Sequence, residues 1–454
     1  MTACLLATMT LGAGTACASG GASTVPSTGA SVPVATSAPA GAPGGAGTVP
    51  ALPGRALASP GCSAATATGA ALGSAHTATV PLEGSAQGVA ATPDGRWAFA
   101  VSAGTAPAVE VLRLGSGTTP AVTQVRSIPL PASPGAGAAG AAVTPDGKYL
   151  LVAWGPGAAV ISVARAEAGT AGAVVGSLTV PAPTGSAGPP DGAAEVAVSP
   201  DSRFAFVTLE YSDEAAVFNL AGALGHGFGT AGYVGAVPLG SSVVGLAVSP
   251  DGRWLYATSE LAVRGQHPVG LKSPAGCQGR VPSTFPAEPT GTLTVIDLRR
   301  AETDPAQSVT ATVDAGYQPV RVVTAADGTE VWVTARASDD VLCFSAAKLA
   351  ADPADALVAV IRVGSEPVGL AAVRGGTLLV VADSNRFGAG GESSDLSVVS
   401  VPAALAGRPA VIGDLATGLF PRDMAVSPNG TLLVADYSSG QVQAIATAAL
   451  PAAG

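Results

Sequence analysis

Charge is scarce in this chain. Asp, Glu, Lys and Arg together make up 11% of the residues and leave a balance of −10. Binding to phosphate backbones needs clustered lysines and arginines, and no such cluster exists here, so nucleic acid is excluded as a partner. Histidine is scarcer still, with His76, His226 and His267 the only three. The five cysteines are Cys4, Cys17, Cys62, Cys277 and Cys343, and none forms a Cys-x-x-Cys pair. Zinc and iron–sulfur centres are therefore disfavoured, and covalent haem lacks its Cys-x-x-Cys-His signature. No metal and no cofactor is expected. The most continuous apolar run, residues 1–18, is too short for a comfortable membrane span.

Glycine and proline are abundant, at 60 and 37 residues, and they recur periodically. The organising stretch is Leu246-Ala-Val-Ser-Pro-Asp-Gly-Arg-Trp-Leu-Tyr-Ala-Thr-Ser259. Its apolar residues alternate on either side of Pro250-Asp251-Gly252, which predicts a strand, a tight turn and a second strand. The same phrase returns with turn residues at Asp94, Asp146, Asp201, Asp251, Asp327, Gly375 and Asn429. Successive turns are 48 to 55 residues apart, except for a step of 76 between Asp251 and Asp327. A period of roughly 40–50 residues in all-β sequence is the signature of propeller blades. The long step predicts an insertion, placed at 261–290 between the second and third strands of blade four. Phe387-Gly-Ala-Gly-Gly-Glu392 predicts a shorter loop in blade six.

Residues 1–18 suit the apolar region of an export signal, although no basic segment precedes them. Two cleavage readings stay open. Gly14-Thr15-Ala16-Cys17 is similar to a bacterial lipobox and would leave a lipidated Cys17; Ala16-Cys17-Ala18 fits ordinary secretion. Residues 19–76 are dominated by Ser, Gly, Ala, Thr and Pro over most of their length and predict a flexible tether. The ring is expected over 77–450. Its first segment, Thr77–Gly84, resembles the outer strands of later blades, whereas the chain ends on the third strand Gln441–Ala446. The N-terminal strand is therefore predicted to complete blade seven and close the ring, which removes an open sheet edge.

These repeats, together with Gly291-Thr-Leu-Thr-Val-Ile-Asp-Leu298, resemble the YVTN family of bacterial β-propeller repeats, which is similar to the lactonase-type seven-bladed propellers. The resemblance covers residues 77–447. It implies an all-β, seven-bladed propeller and an extracytoplasmic setting, with one cytosolic branch, the 6-phosphogluconolactonase type, enzymatic. The expected function is a non-enzymatic binding or protein-interaction module, monomeric and anchored only by lipid. Its partner would be a protein, a cell-wall component or a small ligand. The alternative is a lactonase-like hydrolase using an acidic and arginine rim.

In such propellers the ligand face lies where outer strands return to inner strands and second strands turn into third. Six residues before each turn stand Gly88, Gly140, Glu195, Gly245, Arg321, Gly369 and Asp423, expected to ring the channel mouth. A further rim is expected from Glu210, Glu260 and Arg336, nine residues after their turns, with Asp383 and Asp436 at the ends of the second strands in blades six and seven, and Arg422 beside Asp423. Convergent charges of this kind could bind a polar ligand, or form a solvated rim of ion pairs. For a lactonase, Glu195 or Glu210 would serve with Arg321 or Arg336. Trp97, Trp254 and Trp332 are expected to pack between blades. Cys62 and Cys277 could pair in an oxidising compartment, and Cys343 is expected as a buried thiol.

Overall fold

The computed structural model describes residues 71–72, 77–115, 119–131, 139–182, 192–263, 268–272, 290–386 and 394–453. The export segment, Cys17, all of the tether except Ala71 and Leu72, Cys62, Cys277, His267 and the loop Phe387–Glu392 lie outside the described residues, as does most of the blade-four insertion. Ala71 and Leu72 are held on the outer strand of blade six, where Ala71 bridges Asp414 and the Leu72 N–H donates to the Asp414 carbonyl at 2.9 Å.

The repeated turn is built by side chains bonding to their own backbone. Thr92, Thr144, Ser199 and Ser249 each donate their hydroxyl to the turn aspartate two residues on, at 2.6 Å. Those aspartates accept the backbone N–H of Arg96, Lys148, Arg203 and Arg253 at 3.0–3.1 Å. The same hydroxyls accept the N–H of Trp97, Tyr149, Phe204 and Trp254, the first residues of the second strands. Three such bonds thus fix the register of the hairpins in blades one to four. The glycine after the aspartate takes the left-handed conformation, as at Gly252 with φ 67°.

Seven four-stranded antiparallel sheets follow. The inner strands are Ser85–Ala91, Ala141–Val143, Ala193–Val198, Ser241–Val248, Pro319–Thr324, Pro367–Val373 and Pro421–Val426. In blade seven the order is Pro421–Val426, Thr431–Asp436, Gln441–Ala446 and then Thr77–Pro81. Thr77 pairs with Ile445 and Pro81 with Gln441, so the N-terminal strand closes the ring as expected. A buried cluster lies at every blade–blade junction. Val80, Leu433 and Val442 meet Val89 and Ala98 at the closure, and Trp332, Cys343 and Leu379 meet between blades five and six. The expected buried thiol is therefore observed at Cys343.

Five short helices accompany the sheets of this nearly all-β chain: α1 (Val163–Ala168), α2 (Leu220–His226), α3 (Leu298–Ala301), α4 (Ala346–Ala351) and α5 (Val401–Leu405). Each links the third strand of blades two to six to its outer strand. Ser162, Asn219, Asp297, Ser345 and Ser400 cap them, each accepting a backbone N–H from the first turn. A cap residue at a strand end followed by an alanine-rich or leucine-rich turn is enough to start one helical turn. The described part of the blade-four insertion returns to the sheet, where Val269 bridges Val313, and Lys272 pairs with Asp355 at 3.0 Å. Among the described residues no helix is long and apolar enough to cross a membrane.

Candidate functional site at the channel mouth

Six of the inner strands carry a bulge near their start, between Ala86 and Gly88, Ala193 and Val196, Val243 and Gly245, Pro319 and Val322, Pro367 and Leu370, and Pro421 and Asp423. A bulge adds a residue and re-aims its neighbours. Here it turns consecutive residues toward the channel and toward the next blade. Ser242, Gln318, Glu366 and Phe420, at one repeat position in blades four to seven, all have positive φ between 50° and 57°. For a phenylalanine that conformation is a strained outlier. One position beside the mouth thus carries positive φ in four successive blades.

The seven aligned mouth positions form one interlocked ring. Arg321 pairs with Glu195 and, at 3.0 Å, with Asp423. Asp423 also accepts the backbone N–H of Val89 at 3.0 Å, which ties blade seven to blade one across the closure. Glu195 and Arg321 are anchored from behind, their backbone N–H groups donating to Thr208 at 2.8 Å and Thr334 at 2.9 Å. The glycines have a steric reason. A Cβ on Gly140 would strike the Glu195 carboxylate, and one on Gly245 would strike the carbonyl of Val320. Glycine stands where the neighbouring blade occupies the space a side chain would fill.

The ends of the second strands do not make a separate rim. Glu210, Glu260 and Arg336 reach the same cavity as Arg321 and Arg422. Arg336 donates to Glu260 at 3.0 Å and to the Gln318 amide oxygen at 2.9 Å, with both charged partners almost fully buried. Asp383 and Asp436 correct the expectation: neither lines this cavity. They are the sixth residues of their strands, whereas Glu210 and Arg336 fall at the seventh position after the same strand start. One residue along a strand reverses the face. Asp383 instead accepts from Ser397 at 2.6 Å, and Asp436 from Thr417 at 2.8 Å and Gln441 at 2.9 Å, inside their own blades. Burial pushes the Asp383 carboxyl well above the usual range, and its cross-strand neighbour Asp395 adds to the rise.

The cavity on the axis holds about 50 Å³ and draws its wall from all seven blades. Four guanidinium groups line it, those of Arg321, Arg336, Arg386 and Arg422, against two carboxylates, Glu210 and Glu260. Val244, Val320, Val368 and Phe420 supply its apolar side. Burial raises the Glu210 carboxyl above its ordinary value, helped by Glu260 and opposed by Arg422, Arg386 and Arg336. Burial lowers Arg422 to about 10, with the charges of Arg321 and Arg386 acting in the same direction. Arg386 is lowered for the same reason, burial first and then Arg336. Arg386 lies over the Phe420 ring at 5.3 Å and Arg422 over Tyr437 at 5.9 Å. Arg386, Gln318 and Phe420 were not expected from sequence; Arg386 sits in a loop with no repeat partner to align it.

A larger space of about 690 Å³ lies on the flank, between blade one and α1. It is a groove in which Arg113 already covers Trp97 at 5.2 Å and Arg96 is bound to Asp94 at 2.6 Å. Among the described residues no cluster of His, Cys, Asp and Glu could hold a metal ion. Asp339 is paired with Arg362 at 3.1 Å.

No family model matches the chain, and no curated protein matches it. Among solved structures it is similar to Kuenenia stuttgartiensis hydrazine synthase, with a TM-score of 0.57 and 16% identity, over 84% of this chain and 99% of that chain. Identity so low speaks to fold alone. The repeats, the seven sheets and this likeness agree on one architecture: the chain is a seven-bladed β-propeller.

Proposed function

We propose that the ring is a binding module rather than an enzyme, that its ligand or partner is engaged at the channel mouth, and that it works outside the cytoplasm on a lipid anchor at Cys17. The observation that supports the first part is that Glu195, Arg321 and Asp423 close on one another beside a cavity of about 50 Å³. Ligand pockets for drug-sized molecules ordinarily run to roughly 300–1,000 Å³. A sugar lactone has no room there. The two arginines expected to serve a hydrolase, Arg321 and Arg336, are already paired with carboxylates. Glu210, with its raised pKa, is the one element that favours the hydrolytic reading.

Two experiments test this. The full-length protein is assayed against a series of lactones beside Glu210→Gln; no turnover is expected, and turnover abolished by Glu210→Gln would replace the binding reading with the hydrolytic one. A thermal-shift screen with small anions, cations and neutral polyols should then find stabilising compounds. For the anchor, the support is the sequence Gly14-Thr15-Ala16-Cys17. Membrane fractionation of the wild type and Cys17→Ser should move the protein from the membrane to the soluble fraction, and unchanged partition would rule the anchor out.

A further inference from the structure

We infer that the channel mouth binds the carboxylate of one short-chain monocarboxylate, of acetate or propionate size, on Arg422. The inference rests on the mouth being a binding site and narrows that reading to one ligand class.

Arg422 and Asp423 are the two residues of the blade-seven bulge, and they have opposite fates. Asp423 is fully used, by Arg321 and by the Val89 N–H. Arg422 faces the cavity, and among the described residues no carboxylate lies within ion-pair reach of it; its contact is the Tyr437 ring. It stays charged at neutral pH, since even with burial and two neighbouring arginines its pKa is lowered only to about 10. Arg422 is half-buried; a partly desolvated cation with no carboxylate in ion-pair contact is costly, and a bound anion offsets part of that cost.

Glu210 and Asp423 act on Arg422 from a distance, but neither pairs with it. Glu260 is committed to Arg336. Glu210 feels Arg422 but forms no ion pair with it, and its desolvation favours the neutral acid. The rest of the lining includes an apolar cluster of Val244, Val320, Val368 and Phe420, and Tyr437, which Arg422 covers, packs against it. A ligand that suits both the cation and this apolar cluster has one anionic head and one short hydrocarbon end. The guanidinium fork matches a planar carboxylate through two parallel bonds. Size sets the length: one water occupies at least about 10–15 Å³ of such a cavity, so about 50 Å³ admits a group of a few heavy atoms. Sulfate and phosphate would press charged oxygens against valines, and sugar acids are too large.

The test is a calorimetric and thermal-shift titration of the full-length protein with sodium acetate and sodium propionate, against sodium chloride and sodium sulfate at equal ionic strength. A saturable response to the carboxylates alone is expected. Arg422→Gln should weaken it by about tenfold or more, the scale of one charged hydrogen bond. Arg96→Gln, on the exposed outer turn, should leave it unchanged. Val368→Phe, which fills the apolar half, should remove propionate binding before acetate binding and serves if Arg422→Gln does not fold. Equal responses to all four salts, or a carboxylate response untouched by both mouth variants, would overturn the inference. If the wider screen finds only cations, polyols or inorganic oxyanions, the ligand class is wrong while the mouth remains a binding site. If nothing shifts the protein, both readings fall together.

Discussion

Two sets of charges share the channel mouth and are held in opposite ways. Arg321 lies between Glu195 and Asp423, with Gly140 cleared to make room and Val89 donating from the neighbouring blade. Arg422, one residue from Asp423, lies over an aromatic ring with no carboxylate among the described residues, while Glu210 stays unpaired with its pKa raised. The first set is a clasp that joins blades three, five and seven. The second leaves its charges to the cavity. Burial therefore does not distinguish a structural ion pair from a binding group at this mouth; what distinguishes them is whether the partner is inside the chain.

The comparison is broken most directly at Arg321. Arg321→Met would leave Glu195 and Asp423 buried without a counter-charge, and removing one member of such a pair costs about 3–5 kcal/mol. Denaturant unfolding should show that loss, and adding Glu195→Gln to Arg321→Met should recover part of it. A loss under about 1 kcal/mol would mean that the clasp is ornamental. Next in size is Gly140→Ala. Its methyl group would collide with the Glu195 carboxylate, and an overpacked site of this kind costs about 1–3 kcal/mol. The same change at Gly375, whose Cβ would meet nothing within 4 Å but whose φ is 65°, should cost only the backbone strain.

The clasp was half legible in the sequence, and the reason is register. Repeat alignment put Glu195, Arg321 and Asp423 at one position, because turn chemistry fixes the inner strands to the residue. Which of them touch could not be read, since they come from blades three, five and seven and meet only across the axis. Asp383 and Asp436 were misplaced because their second strands are one residue shorter than that of Glu210 from strand start to final carboxylate, and a single step reverses the face. Arg386 was missed because it belongs to a loop and has no counterpart to align with. The five capped helices were legible in principle, as Ser, Asn or Asp ending each third strand before a short run of helix formers, but strand periodicity dominates the pattern around them.

Arg422→Gln sharpens the contrast with Arg321. Removing a half-buried cation that has no carboxylate in ion-pair contact should leave stability within about 1 kcal/mol of wild type, or raise it. Denaturant unfolding in chloride buffer decides this. A loss as large as that of Arg321→Met would mean that Arg422 is as structural as its neighbour, and the two halves of the mouth would no longer differ.

The smallest effect concerns Glu210 and has a definite sign. Its folded pKa is raised, by burial first and Glu260 second, so its contribution to stability is fully present below the ordinary glutamate value of about 4.3 and is lost as pH rises through the folded value. Arg422, Arg386 and Arg336 oppose the rise and keep it limited. Wild type should therefore lose stability relative to Glu210→Gln as pH climbs out of the carboxylate range, in buffers free of acetate and other carboxylates. The opposite slope would mean that Glu210 is ionised and serves as the internal counter-charge of Arg422. The second set of charges would then be closed like the first, and no anion would be needed at the mouth.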